Sequence, residues 1–142
     1  MRCVFCEILE GSAPAHIVYE DEHSVAFLDI NPISDGHTLL VPRVHAQWLE
    51  ELPEGEWVEL TQALKRLVPA VTKAVGARDS RIMINNGPKA GQIIPHLHIH
   101  IIPRRGLARR GVAGAVSRFK PRSRDYFEEV AQRIRGAVEE LF

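Results

Sequence analysis

The chain has 142 residues, 45% of them hydrophobic, which is enough for one domain with a real core and too few for two ordinary ones. Eighteen Lys and Arg against eighteen Asp and Glu leave no net charge to draw it toward nucleic acid or membrane. No apolar run approaches the roughly 18–20 residues of a membrane span, and the first residues lead into a cysteine pair rather than a signal-peptide segment, so a cytoplasmic location is expected.

Cys3 and Cys6 are the only cysteines. Their two-residue spacing lets both thiolates turn toward one ion. A redox pair is the alternative, but that motif normally sits at a helix start after a strand, and here it precedes every predicted element. Two cysteines supply half of a tetrahedral zinc site, and histidines are the candidates for the other half.

Residues 7–11 read as a helical turn ending at Gly11, with Pro14 delaying the next element. Residues 16–20 and 24–30 are apolar, β-favouring runs joined by Asp21, Glu22 and His23 in a hairpin-like connection. His16 and His23 read as surface residues. Turn formers fill 31–36, and 37–42 is a third strand, so Asp29 and His37 flank the turn. From 49 to 75 the apolar residues recur at three- and four-residue steps, predicting an amphipathic helix that starts near Pro53, is kinked or split at Pro69 and is capped by Gly76. A fourth strand is expected over 80–86, followed by a glycine-flanked loop, 87–92, able to bring backbone close to a ligand.

Residues 95–103 then place His96, His98 and His100 in alternation with Leu97, Ile99 and Ile101, between two prolines. This is the period of a pleated strand, with one face core and the other chemistry. Imidazole with its ordinary pKa of about 6.5 is largely neutral near pH 7, and therefore nucleophilic or metal-binding. Alternate strand positions lie about 7 Å apart, close enough to bracket a phosphate. The three rings can bind a catalytic metal, supply a nucleophile with an acid beside it, or divide between a structural metal and catalysis. Between Arg104 and Arg124 there are eight basic and no acidic residues, a pattern that suits a solvated surface as well as one attracting phosphates. A final helix is predicted over 125–142 with Tyr126, Phe127, Val130, Ile134, Val138 and Leu141 on its apolar side.

The alternation at 96–102, the run Phe27 to Pro32, the run Gly36 to Pro42, Asn85 with Gly87, and Gly91 with Gln92 together resemble the histidine triad (HIT) family over about 3–104. The resemblance implies a single α+β domain spanning 1–142, with a five-stranded antiparallel sheet, a long central helix and a C-terminal helix. It also implies a homodimer that binds a purine nucleotide and acts at the α-phosphate. Relatives carrying a Cys pair hold a structural zinc, and the matching positions are Cys3, Cys6, His45 and His96. His98 matches the nucleophile, His37 the supporting histidine, and His100 the one facing the phosphate and leaving group. Asp29 matches the ribose-binding acid; Phe27 and Ile30 would enclose the base; Asn85, Gly91 and Gln92 match positions near the phosphate. One position departs: where the family usually has Ser or Thr, this chain has Ile93. The ending from Ile101 to Arg104 resembles the dinucleoside polyphosphate hydrolase branch, whereas Asp29 resembles the phosphoramidase branch. A nucleotide-binding regulator with little turnover is the alternative function. A zinc-dependent nucleic-acid module is a third, disfavoured because the basic segment holds no aromatic but Phe119.

Overall fold

A computed structural model describes residues 3–105 and 123–142; most of the basic segment, 106–122, lies outside the described residues. Helix α1 (Val4–Glu10) is followed by strands β1 (Ile17–Glu20), β2 (Ser24–Leu28) and β3 (Thr38–Pro42). Then come a 3-10 turn (Leu49–Glu51), helix α2 (Glu54–Ala74), β4 (Asp79–Met83), a second 3-10 turn (Pro88–Ala90), β5 (Ile99–Arg104) and helix α3 (Arg124–Leu141). The strands form one sheet in the order β1-β2-β3-β5-β4, every neighbouring pair antiparallel.

The two-residue period divides the side chains between two layers. Ala26, Leu28, Leu40, Ile99 and Ile101 pack with Leu60, Leu67 and Val71 of α2 and Ile134 of α3. On the opposite face Val25, Phe27, Leu39 and Val41 are covered by Cys3 and Phe5. His100 lies opposite Leu39 in register and so belongs to this second face, beneath α1.

Several expected boundaries move. β5 begins only at Ile99, so His96 and His98 precede the strand. The His96 amide closes a tight turn onto the Ile94 carbonyl (2.8 Å), and the Leu97 amide bonds to the Ala46 carbonyl (2.7 Å), in place of a ladder. The histidine face is also not a solvent face: His96, His98 and His100 are all buried. β4 stops at Met83 rather than 86, and β2 at Leu28, because Asp29 turns the chain by accepting from the Asn31 amide (2.8 Å). Residues 4–6 join α1, because Cys3 is its N-cap and accepts from the Cys6 amide through sulfur. Pro69 does not split α2, which runs unbroken from Glu54 to Ala74. Pro69 and Lys65, whose carbonyl loses its partner, both lie on the exposed side, where water can satisfy that oxygen.

Candidate functional site

Two groups of polar side chains converge on the α1 face. The first is Cys3, Cys6, His45 and His96, brought from the N-cap and first turn of α1, the loop after β3 and the loop before β5. Their donor atoms form a compact tetrahedron: Sγ to Sγ 3.3 Å, His45 Nδ1 to His96 Nδ1 3.1 Å, and four S to N edges between 3.2 and 4.0 Å. A zinc ion at its usual bond lengths gives edges of about 3.8, 3.3 and 3.6 Å for S–S, N–N and S–N. The tautomer agrees. His96 Nε2–H donates to the Pro42 carbonyl (2.9 Å), leaving the Nδ1 lone pair aimed at the cluster. Burial raises the pKa of the Cys3 thiol, so thiolate there needs a cation. The donor set fits a metal ion, and four protein ligands leave no open position for substrate.

The second group is His98, His100, His37 and Asp29. His98 Nδ1–H can only donate to the His96 carbonyl it faces at 2.7 Å, so its Nε2 retains a lone pair. His37 Nδ1 accepts from the Ile33 amide (3.0 Å), which puts the hydrogen on Nε2. That N–H points at His100 Nδ1 (3.0 Å), with an Asp29 oxygen 3.5 Å away. His100 must then carry its hydrogen on Nε2, a buried atom with no hydrogen-bond partner among the described residues. Asp29, His37 and His100 are close enough to suggest a second metal site. The tautomers argue against it, because the His37 nitrogen facing the others bears a hydrogen. The arrangement instead offers one lone pair, at His98, and one unpartnered N–H, at His100, on rings whose centroids are 5.0 Å apart.

Burial holds these rings neutral. It is the main cause lowering the pKa of His98, against smaller raising effects from the His96 carbonyl and Asp29. His37 is lowered by burial, partly offset by Asp29, and His100 falls to about 4 through burial and repulsion from His98 and His37. Neutral imidazole is the nucleophilic form.

The remaining expected residues divide. Gln92 is buried and its amide is committed to the loop: it accepts from the Gly87 amide (2.8 Å) and donates to the Gln47 and Ile94 carbonyls (both 3.0 Å). Gly91 has φ +100°, and the Asn85 side chain packs against it. Phe27 is buried, with little face left for a base, whereas Ile30 is 69% exposed. Ile93 is 88% exposed and does not enter the core. Asp29 both makes the Asx-turn and faces His37. Sequence reasoning passed over Phe5, whose ring touches His98, and Trp48, which packs on Gly87. Phe5 was signalled only by standing between the cysteines. A cleft of about 610 Å³ lined by Pro69, Thr72, Lys73 and Arg78 lies at the far end of α2 and contains none of these groups.

The HIT domain family model matches residues 10–107. An adenosine 5′-monophosphoramidase of Schizosaccharomyces pombe is 39% identical, over 73% of this chain and 75% of its own length. An adenylylsulfatase of Arabidopsis thaliana is 42% identical over 72% of this chain, which spans 52% of that protein. The crystal structure of a Zn-bound histidine triad family protein from Mycobacterium smegmatis superposes with a TM-score of 0.83 at 34% identity, covering 99% of this chain and 96% of that one. The family match begins after the cysteine pair, whereas the likeness to the zinc-bound structure extends over nearly the whole chain. The sheet order, the alternating histidines and these matches agree: the chain belongs to the histidine triad (HIT) family.

Proposed function

We propose that the protein is a nucleotide hydrolase or transferase in which His98 attacks the α-phosphorus of a purine nucleotide conjugate. The observation that carries this reading is the hydrogen bond from His98 Nδ1–H to the His96 carbonyl, which leaves Nε2 as the free nucleophilic nitrogen. The N–P bond forms as the bond from phosphorus to the leaving group breaks, and water then hydrolyses the nucleotidyl-histidine. His100 Nε2–H is the donor for the phosphate or leaving group, supported because a buried N–H with no partner calls for a ligand oxygen. His37 holds His100 in that tautomer. Asp29 is assigned to the ribose hydroxyls, Ile30 and Phe27 to the base side, and Asn85, Gly91 and Gln92 to the phosphate loop, with Gln92 shaping it rather than touching phosphate.

The metal at Cys3, Cys6, His45 and His96 is assigned as structural zinc; when bound it would neutralise the thiolates and tie α1 to the histidine segment. The S. pombe relative is named for a phosphoramidate and the A. thaliana relative for an adenylyl sulfate. Both names carry an adenylyl group, which supports an adenine nucleotide with a variable leaving group, and nucleoside phosphoramidates are the preferred class over dinucleoside polyphosphates. A homodimer of one-domain chains in the cytoplasm completes the reading; β4 ends the sheet with Ile82 exposed, which suits a protein contact. The same chain without turnover, a nucleotide-binding regulator, is favoured by one observation: the exposed side chain at 93 is Ile, with no hydroxyl to give. Incubation with nucleoside phosphoramidates, adenylyl sulfate and dinucleoside polyphosphates, followed by assay for mononucleotide, separates the two. Release from at least one is expected; tight binding with no release across the panel would establish the regulator instead.

A further inference from the structure

Phe5, one of the two residues between the cysteines, has no part in the chemistry above, yet its ring is built into it. Phe5 is buried, and its ring lies 5.1 Å from that of His98 at 89°, 5.3 Å from Phe27 at 70° and 6.0 Å from His96 at 72°. These are edge-to-face geometries, in which a neighbouring ring resists rotation as well as displacement. The backbone of Phe5 has little freedom, because Cys3 and Cys6 on either side belong to the tetrahedral cluster and the Cys6 amide bonds back to Cys3 sulfur.

The His98 ring therefore has two restraints that originate in the cluster. One is the hydrogen bond from Nδ1 to the carbonyl of His96, itself a cluster member. The other is Phe5. A single hydrogen bond fixes one ring atom and leaves the ring free to tilt about it; the edge-to-face contact removes that tilt. We propose that Phe5 is a positioning residue for His98, carrying the orientation of the cysteine knuckle to the Nε2 lone pair. The proposal rests on the reading of His98 as nucleophile, because only a reacting nitrogen needs its direction held this closely: small misplacement of an attacking atom costs rate without weakening binding.

The test compares the wild-type protein with Phe5→Leu, Phe5→Tyr and Val25→Ala, each at one zinc per chain and labelled with ¹⁵N-histidine. Ring nitrogen shifts of His98 read the tautomer independently of turnover. Wild type should show Nδ1–H alone. Phe5→Leu should show a mixture, with kcat lowered about tenfold or more and KM changed less than about twofold. Phe5→Tyr, which restores an aromatic ring, should recover both. Val25 shares the cluster of Phe5 without belonging to the site, so Val25→Ala tests loosening in general and should keep the wild-type signature. A wild-type signature and kcat in Phe5→Leu would overturn the proposal, as would the same mixture in Val25→Ala. If His98→Ala remains active while Phe5→Leu mixes the tautomers, the nucleophile assignment fails and the positioning contact stands. If His98→Ala is inactive and Phe5→Leu matches wild type, only the positioning fails.

Discussion

Three histidines at alternate positions reach three different hydrogen-bonding states: two give their ring hydrogen to a backbone carbonyl, and the third only receives. His96 gives Nε2–H to Pro42, His98 gives Nδ1–H to its own neighbour's carbonyl, and His100 receives at Nδ1 from His37. His96 Nδ1 then faces the cysteine sulfurs, His98 Nε2 keeps its lone pair, and His100 Nε2–H has no partner among the described residues. His98→Ala is expected to abolish turnover while changing nucleotide affinity by less than about tenfold, or about 1.4 kcal/mol, since a nucleophile need not be a main binding contact. Steady-state kinetics beside equilibrium binding decides it, and retention of wild-type rate would remove the nucleotidyl-histidine. Ile93 offers the complementary gain. At 88% exposure its replacement by Ser buries no unsatisfied hydroxyl, so Ile93→Ser should leave thermal stability almost unchanged. If the new hydroxyl meets charge developing at phosphorus, kcat rises on at least one conjugate by roughly ten- to a hundredfold, about 1 to 3 kcal/mol. An unchanged kcat across the panel would exclude Ile93 as a determinant of turnover.

At the scale of elements, the loop before the histidines is held from behind. Gln92 ties Gly87 to Gln47, Asn86 accepts from the Leu49 amide, and Trp48 lies so close to Gly87 that an added Cβ would sit 2.5 Å from its ring. Gly87→Ala must both adopt φ +109° and displace Trp48, whereas Gly91→Ala at φ +100° meets only ordinary contacts beginning at 3.6 Å. The positive φ costs about 1 to 3 kcal/mol at either position, so the clash with Trp48 should make Gly87→Ala the more destabilising of the two by chemical denaturation. Equal losses would mean that Trp48 yields without cost. The sequence made much of this architecture readable, since alternation at 96–102 placed the histidines opposite Leu97, Ile99 and Ile101, and the cysteine spacing pointed to half a metal site. It could not reveal where β5 begins, because that depends on partners at Ala46 and Pro42, far away in the chain. Nor could it reveal that Gln92 is consumed by the loop, or that Pro69 falls on the exposed side of α2 where an unbroken helix tolerates it.

At the scale of the whole molecule, a neutral histidine centre between the sheet and α1 makes stability depend on acid. His37 and His100 have pKa values below their ordinary 6.5, His100 down to about 4, chiefly because burial disfavours the charged ring. Above pH 6.5 these rings are neutral in folded and unfolded chains alike, and neither contributes a slope. Between about pH 6.5 and 4 the unfolded chain takes up protons that the folded chain refuses, so stability falls as pH falls. If zinc occupies the Cys3, Cys6, His45 and His96 cluster, protonation of the thiolates and release of the metal act in the same direction, and a single unfolding curve does not separate the contributions. His100→Asn does. It removes one depressed group four residues beyond His96 and outside the cysteine cluster, so the variant's loss of stability between pH 6.5 and 4 should be smaller than wild type's by an amount of order 3 kcal/mol at most. Denaturant unfolding of both zinc-loaded proteins across that window is the measurement. Parallel curves would show that His100 titrates normally in the folded protein, and the depression of its pKa by burial would have to be given up.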